Sequence, residues 1–275
     1  VIDDTVLMYT RCVNAAAPAD GLVQNLTEIQ DNKVDVMFEV HRSAGAGAHD
    51  NVGDAKGEIA AYMSGMFVSS VNFNFGTDGF FTESITLVGN HQKWFQPAGT
   101  LGDAPSVVVG VDEGDVARRQ NFSFADLDNV PEPLKTLGGN LDDLRISSIS
   151  LSTDLGREEM FSLGERQAYH RFVTFPIEVT CDIEAYVTDV EDMGFNALPE
   201  TDNVSSDQTI KFQVDDLPVA SVLGAAVALH TFDLGAKNTL SSITWNGLST
   251  DGTNATVTYS YRNFNVLDIT STATA

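Results

Sequence analysis

The sequence predicts a mainly β fold, an antiparallel β-sandwich or barrel with one or two short helices. Apolar and polar residues alternate with a period of two in several short segments, as they do in strands with one buried face. Clusters of glycine, asparagine and aspartate separate these segments. The chain has 275 residues, of which 43% are apolar, so it can bury the core of one large domain.

The strands follow one another along most of the chain, and a long β-hairpin at 63–94 is the dominant element. A second hairpin pairs 240–245 with 255–263 around a polar loop, and one short helical turn is predicted at 156–164. The remaining strands are predicted at 34–41, 144–151, 172–187, 209–214 and 228–232.

The long hairpin has one apolar and one polar face, and residues 76–79 supply its turn. The apolar face is predicted to carry Phe67, Val71, Phe73, Ile85 and Leu87. The polar face is predicted to carry Asn72, Asn74, Thr82, Ser84 and Thr86. A one-residue slip would exchange the two faces, so this alternation also specifies the register.

A bulged turn gives the register that keeps the two faces separate. The predicted pairs are Phe75–Phe81, Val71–Ile85 and Ser69–Leu87. In this register Glu83 lies opposite Phe73 on the apolar face, so we expect it at the sheet margin or beside a cation of another chain. The hairpin at 65–88 is expected to have no edge partner within its own domain and to be completed by another chain.

A region at about 96–139 is predicted to be an insertion in a single domain that spans 1–275. Glycine, proline and acidic residues interrupt its short apolar runs. This composition is typical of an inserted segment.

The chain is strongly acidic, with 39 Asp and Glu against 15 Lys and Arg and a formal net charge of -24. Such a surface repels polyanions, which excludes a protein that grips nucleic acid through basic side chains. Two cysteines, Cys12 and Cys181, are too few for a disulfide framework or a zinc site and are predicted to be reduced. No secretory signal and no membrane span are predicted.

No constellation of catalytic residues is visible, so the chain is not predicted to be an enzyme and no cofactor or metal site is assigned. The five histidines are scattered, and no nucleophile elbow, phosphate-binding loop or dinucleotide fingerprint occurs. The acidic clusters at 112–115 and 126–128 lack the spacing of a calcium loop, which leaves opportunistic ion binding open. Neighbouring acids such as Glu158 and Glu159 point apart and do not form a glycosidase pair.

Three segments carry a family resemblance. They read VNFNFGTDGFFTESITLVGNHQKW, then ISSISLSTDLGREEMFSLGERQAYHRFVTFPIEVTCDIEAYVTD, and near the end LGAKNTLSSITWNGLSTDGTNATVTYSYRNFN. In their order and phrasing they resemble the major tail tube proteins of tailed bacteriophages, most closely those of contractile tails.

The resemblance implies a virion protein of the tail, assembled in the host cytoplasm, whose β-sandwich forms hexameric rings that stack into a tube. It implies that the hairpin at 65–88 joins an inter-subunit barrel, with the polar face towards a channel that conducts double-stranded DNA without specific binding. Arg157, Glu158 and Glu159 are expected near a flanking helix where subunits or rings touch. The implied partners are the chain itself and the sheath, baseplate and terminator proteins.

Two alternatives to a tube subunit remain open. One is another virion part with a similar scaffold, such as a baseplate, terminator or capsid-decorating protein, which would form a single ring. The other is a secreted carbohydrate-binding or hydrolytic β-sandwich, which predicts a surface aromatic platform or a carboxylate pair.

Overall fold

The fold is seen in a computed structural model that describes residues 33–40, 59–95, 117–124, 126–138, 145–187, 207–216, 227–247 and 254–271. These ranges contain strands in three antiparallel sheets and one α-helix, α1 (Glu132–Gly138). The strands are β1 (Val34–Val40), β2 (Ile59–Gly76), β3 (Thr82–Val88), β4 (His91–Phe95), β5 (Phe122–Ser123), β6 (Ile146–Asp154), β7 (Arg157–Met160), β8 (His170–Val173), β9 (Glu178–Tyr186), β10 (Lys211–Asp216), β11 (Val227–Asp233), β12 (Thr239–Asn246), β13 (Thr256–Phe264) and β14 (Asp268–Ser271).

The mainly β prediction is confirmed, and the two larger sheets pack as a sandwich. The large sheet has the order β1-β2-β6-β9-β13-β12, with β3 and β4 also paired to β2. The small sheet has the order β14-β11-β10-β5, and β7 pairs with β8 alone. None of the described sheets closes into a barrel within the chain.

The core lies between the large and small sheets because each contributes one apolar face. Every second residue of β6 and β9 is buried, as the alternation along these strands predicts. An aromatic cluster joins the two layers at Phe75, whose ring centroid lies 5.2 Å from that of Phe212 and 5.1 Å from that of Phe232. Edge-to-face contacts of this kind add to the free energy of burial.

The second part of the region interpreted as an insertion contributes to this core. Ala117, Phe124, Val130 and Leu134 are all buried in the main cluster. Residues 96–116 lie outside the described ranges, so an insertion at about 96–139 stays a prediction, whereas its described portion from 117 to 138 packs as part of the sandwich.

The bulged register of the long hairpin is confirmed near its turn. Val71 pairs with Ile85, and Phe73 pairs with Glu83, which is half-buried on the outermost strand. The pairing of Ser69 with Leu87 is wrong, because the register shifts between Val68 and Ser70 and Leu87 pairs with Val68. Ser69 is therefore the extra residue of a second bulge.

The expectation that the whole hairpin lacks a partner in its own domain is wrong for β2. Residues 70–74 of β2 pair with β3 on one side and with β6 on the other. The strand with no described neighbour on its outer side is β3, so the open edge of the sheet is one strand further out.

The helical turn predicted at 156–164 is also wrong, because Arg157–Met160 forms strand β7 and pairs with β8. The register joins Arg157 to Val173 and Met160 to His170. Two charged side chains pair across this hairpin, which explains why an apolar period could not identify it.

We expect hydrogen exchange to separate β2 from β3 in monomeric protein. Every amide of β2 from Val71 to Asn74 faces a paired strand, either β3 or β6, and should be strongly protected, whereas every second amide of β3 faces outwards and should exchange quickly. The measurement is amide exchange by NMR or mass spectrometry. Equal protection along both strands would show that another element or chain already covers β3.

A second prediction concerns Cys181, which faces the core from β9 and is a free thiol. Burial, and secondarily the charge of Asp182, raise the pKa of the thiol well above its usual range. In a Cys12→Ser variant, a thiol reagent should label the native protein at least about 100-fold more slowly than the unfolded protein, since the thiolate is the reactive form. Rapid labelling of the native state would contradict the burial of this strand.

Candidate functional site

The candidate functional site is the face of the large sheet that points away from the small sheet. Strand pairing arranges small polar side chains there in rows that cross up to five strands. The rows are Thr82–Asn74–Ser150–Asp182–Ser260, Ser84–Asn72–Ser152–Thr180–Arg262, Thr86–Ser70–Asp154 and Gly76–Ser148–Glu184–Thr258. All of these residues are exposed or half-buried, and we call this surface the polar face.

The polar face has a negative balance, because its cation is neutralised by an acid. Arg262 Nη1 lies 3.0 Å from Glu178 Oε1 on the neighbouring strand. Asp154, Asp182 and Glu184 have no such cation in the pairs that cross the face. A polyanion that approached this surface would meet hydroxyl and amide groups with fixed negative charges among them.

Hydroxyl groups hold the carboxylate of Glu184 in place. Ser147 and Ser148 donate to Oε2 at 2.9 and 3.2 Å, and Thr256 donates to Oε1 at 2.8 Å. Ser152 and Thr180 make a further hydroxyl pair at 2.6 Å across β6 and β9. These bonds are internal to the sheet, so they reduce the ability of the face to grip a ligand.

The five residues predicted to face a lumen all lie on the polar face, and all five are exposed. They are Asn72, Asn74, Thr82, Ser84 and Thr86. On the opposite face Val71 and Phe73 are buried, and Ile85 and Leu87 are half-buried against the core. Whether the polar face lines a channel stays a prediction.

Phe67 is the exception among the residues predicted for the apolar face. It is buried, but the bulge at Ser69 turns it to the side of the polar face, where it pairs with Val88. Its ring there packs beneath the β7–β8 hairpin, 5.8 Å from the ring of His170. The prediction treated the alternation as unbroken, so it missed this change of side.

Arg157 fastens the β7–β8 hairpin to Phe67 and is not an exposed contact residue. Its guanidinium lies 5.1 Å from the Phe67 ring centroid, and it donates to the carbonyls of Val68 and Arg171 at 2.8 and 3.1 Å. Burial lowers the pKa of Arg157 to about 10. Of the three residues expected at a subunit or ring contact, only Glu158 and Glu159 are exposed.

Asn90, in the bend between β3 and β4, braces the same hairpin. Its Nδ2 donates to Ala168 O at 2.5 Å, and its Oδ1 accepts from Arg171 Nη2 at 2.7 Å. Arg171 is almost fully buried and also pairs with Glu159 at 2.7 Å. This network holds β7–β8 at a fixed place on β2 and β4.

The described residues do not assemble a metal or membrane site. No group of three or more His, Cys, Asp and Glu side chains among them is placed to hold a metal ion. Within the same ranges no helix is long and apolar enough to cross a bilayer. A cleft of about 410 Å³ is lined by Lys33 and Arg171 together with Glu165.

Sequence reasoning missed the polar-face residues beyond the hairpin, although a signal for them exists. Serines recur at every second position of β6, at 148, 150 and 152, between buried apolar residues. That alternation predicts a polar face for β6 alone. The polar face of β6 aligns with Asn72 of β2 and Thr180 of β9 only through strand pairing, and the sequence of β6 alone does not reveal that pairing.

Comparison with known proteins adds no identification. No protein-family model matches the chain, and no curated protein is significantly similar to it.

We expect Asn90→Ala to loosen the β7–β8 hairpin, because it removes an acceptor from buried Arg171 and a donor from the Ala168 carbonyl. A polar group left unsatisfied in this way costs about 1–3 kcal/mol. Limited proteolysis within residues 161–167 should therefore become faster. Gln92→Ala, at an exposed position on β4, is the matched control, and equal cleavage of both variants would contradict the bracing role.

Proposed function

We propose that this chain is a structural subunit of a phage-type tail tube and not an enzyme. The observation that supports this function best is the polar face, a wide surface of short polar side chains with a negative balance. A binding or catalytic surface concentrates a few convergent groups in a cleft, whereas this one spreads uniform chemistry over five strands. A surface of uniform polar side chains suits a partner that slides over it without binding at one place.

The electrostatics favour DNA that passes without binding. Duplex DNA carries about one negative charge per 1.7 Å, and a basic lining would bind it by releasing counterions. A lining of hydroxyl groups, carboxamides and carboxylates offers no such exchange. The net charge of -24 likewise disfavours the binding of DNA by the chain as a whole.

The two edges of the large sheet support assembly through strand pairing. Where the large sheet carries the polar face, β3 and β12 are its outermost described strands, and successive antiparallel pairings make them run in opposite directions. Pairing β3 of one subunit with β12 of the next would therefore continue the antiparallel sheet around a ring. A closed ring leaves no open edge.

The carbohydrate-binding alternative has one feature in its favour. Phe38 and Trp94 are exposed on opposite sides of Ala61, in one row across β1, β2 and β4. An aromatic platform of this kind can stack on a sugar ring, but sugars also require convergent polar groups. The side chains beside these two aromatic residues on β1 and β2 are mainly apolar and do not supply such a set of polar groups. This favours the tube proposal over carbohydrate binding.

The test of this function compares substitutions on the two faces of β2. We expect Asn72→Lys with Asn74→Lys to fold and to form tubes visible by negative-stain microscopy, since exposed substitutions cost little. The new cations should make tubes bind DNA, and each phosphate contact should add about 0.9 to the slope of log K against log salt. Passage of DNA should become slower.

Val71→Lys or Ile85→Lys should instead prevent tube formation, because each places an unpaired charge against the core. Asn72→Ser with Asn74→Ser is the neutral control for the polar face. Purified wild-type protein that never forms rings or tubes would contradict the proposed function. Tubes from both lysine sets with no gain in DNA binding would contradict the orientation of the polar face.

A further inference from the structure

The tip of the β7–β8 hairpin is an exposed apolar projection. Ser162–Glu165 forms a tight turn in which Glu165 N donates to Ser162 O at 3.1 Å. Gly164 has a φ of +91°, as the third residue of a type II turn requires, and this places Leu163 at the apex. Leu163 is fully exposed and Phe161 is 60% exposed, where turns usually carry polar residues.

The base of the projection is held firmly, which limits the freedom that the tip loses on docking. Tyr169 N donates to Met160 O at 2.9 Å across the hairpin. The Asn90, Arg171 and Glu159 network ties its base to β4. A preorganised apolar tip pays a smaller entropy cost when it binds.

The same chain carries an apolar slot on the large sheet. Between Val34 and Val36 the register with β2 shifts at Gly65, whose φ is +65°. Because of this bulge, β1 and the lower part of β2 continue the apolar face of the sandwich. The residues that share this face are Val34, Val36, Phe38, Ala61, Met63 and Met66, and Val34 packs against the core.

Phe38, Ala61 and Trp94 lie in one row, so the small Ala61 forms a floor between two aromatic side chains. The two outer strands are separated by two inter-strand spacings, about 9.5 Å, which leaves room for one apolar side chain. Phe38 is 59% and Trp94 67% exposed. Large exposed apolar patches on monomeric proteins often mark interaction sites.

We infer that the tip of one copy, led by Leu163, docks in the slot between Phe38 and Trp94 of a second copy. Both surfaces are exposed in the same molecule, so neither covers the other within one chain. The floor of the slot, Ala61, is apolar, and Leu163 offers an apolar group of matching chemistry. Since the two surfaces differ, the contact is head-to-tail and builds rings or filaments.

This inference rests on the proposed function, because it supplies one self-contact that a tube subunit needs besides strand pairing. The test uses Leu163→Asp for the tip and Trp94→Ser for the slot. Ser162→Asp adds the same charge to the same turn, and Lys93→Ser alters the same strand on its opposite face. These two substitutions are the matched controls.

Sedimentation against protein concentration is the first measurement. Each test variant should raise the concentration at which half of the chains are assembled by at least about tenfold, equivalent to about 1.4 kcal/mol. The two controls should assemble as the wild type does. In an equal mixture, the intact tip of the Trp94→Ser chain can dock in the intact slot of the Leu163→Asp chain, so the mixture should assemble at a lower concentration than either variant alone.

Three results would overturn the inference. If Leu163→Asp assembles like Ser162→Asp, the tip is not part of the contact. Tubes formed by that variant would still agree with the proposed function. Two weakened variants whose mixture assembles no better than either variant alone would show that tip and slot do not meet each other. Wild-type protein that stays monomeric at all concentrations would overturn this inference and the proposed function together.

Discussion

The structure depends on strand β2 being paired on both sides while its two faces have opposite chemistry. Residues 70–74 are flanked by β3 and β6, so their alternation is imposed on both neighbours at once. The aromatic cluster around Phe75 fixes the register, because a slip of one residue would place Asn74 against Phe212 and Phe232. The pairing of β2 with β3 and β6 therefore determines both the core and the polar face.

Two bulges let the same strand serve several surfaces. The shift at Ser69 sends Phe67 to the side of the polar face, where it anchors the β7–β8 hairpin. The shift at Gly65 extends the apolar face onto β1. A regular strand of 18 residues would keep one face throughout. Each bulge adds one residue and so turns the side chains beyond it to the opposite face of the sheet. Bulges often occur beside functional surfaces.

Alternation and turn chemistry were enough to predict the mainly β class, the pairing of Val71 with Ile85 and the exposed position of Asn72. The bulge at Ser69 was not predictable, since Phe67, Val68 and Ser70 fit either face when they are read alone. β7 was mistaken for a helical turn because Glu158 and Glu159 give no apolar period, and the salt bridge of Glu159 to Arg171 is not visible in the segment read alone. The polar face beyond the hairpin required pairing between strands that are far apart in the chain.

The charge of the chain sets opposite demands on assembly and on the polar face. In the proposed tube, subunits that carry a net charge of -24 repel one another, so the proposed strand pairing and apolar docking must exceed that repulsion. At about 0.1–0.15 M salt, repulsion between exposed charges more than about 8–10 Å apart is largely screened, which favours contacts between copies. Contacts between cations and DNA weaken as salt rises, because counterion release yields less free energy. A tube with an uncharged or acidic lining thus avoids DNA adhesion at low salt, and it gains stability at high salt, so one composition serves both requirements.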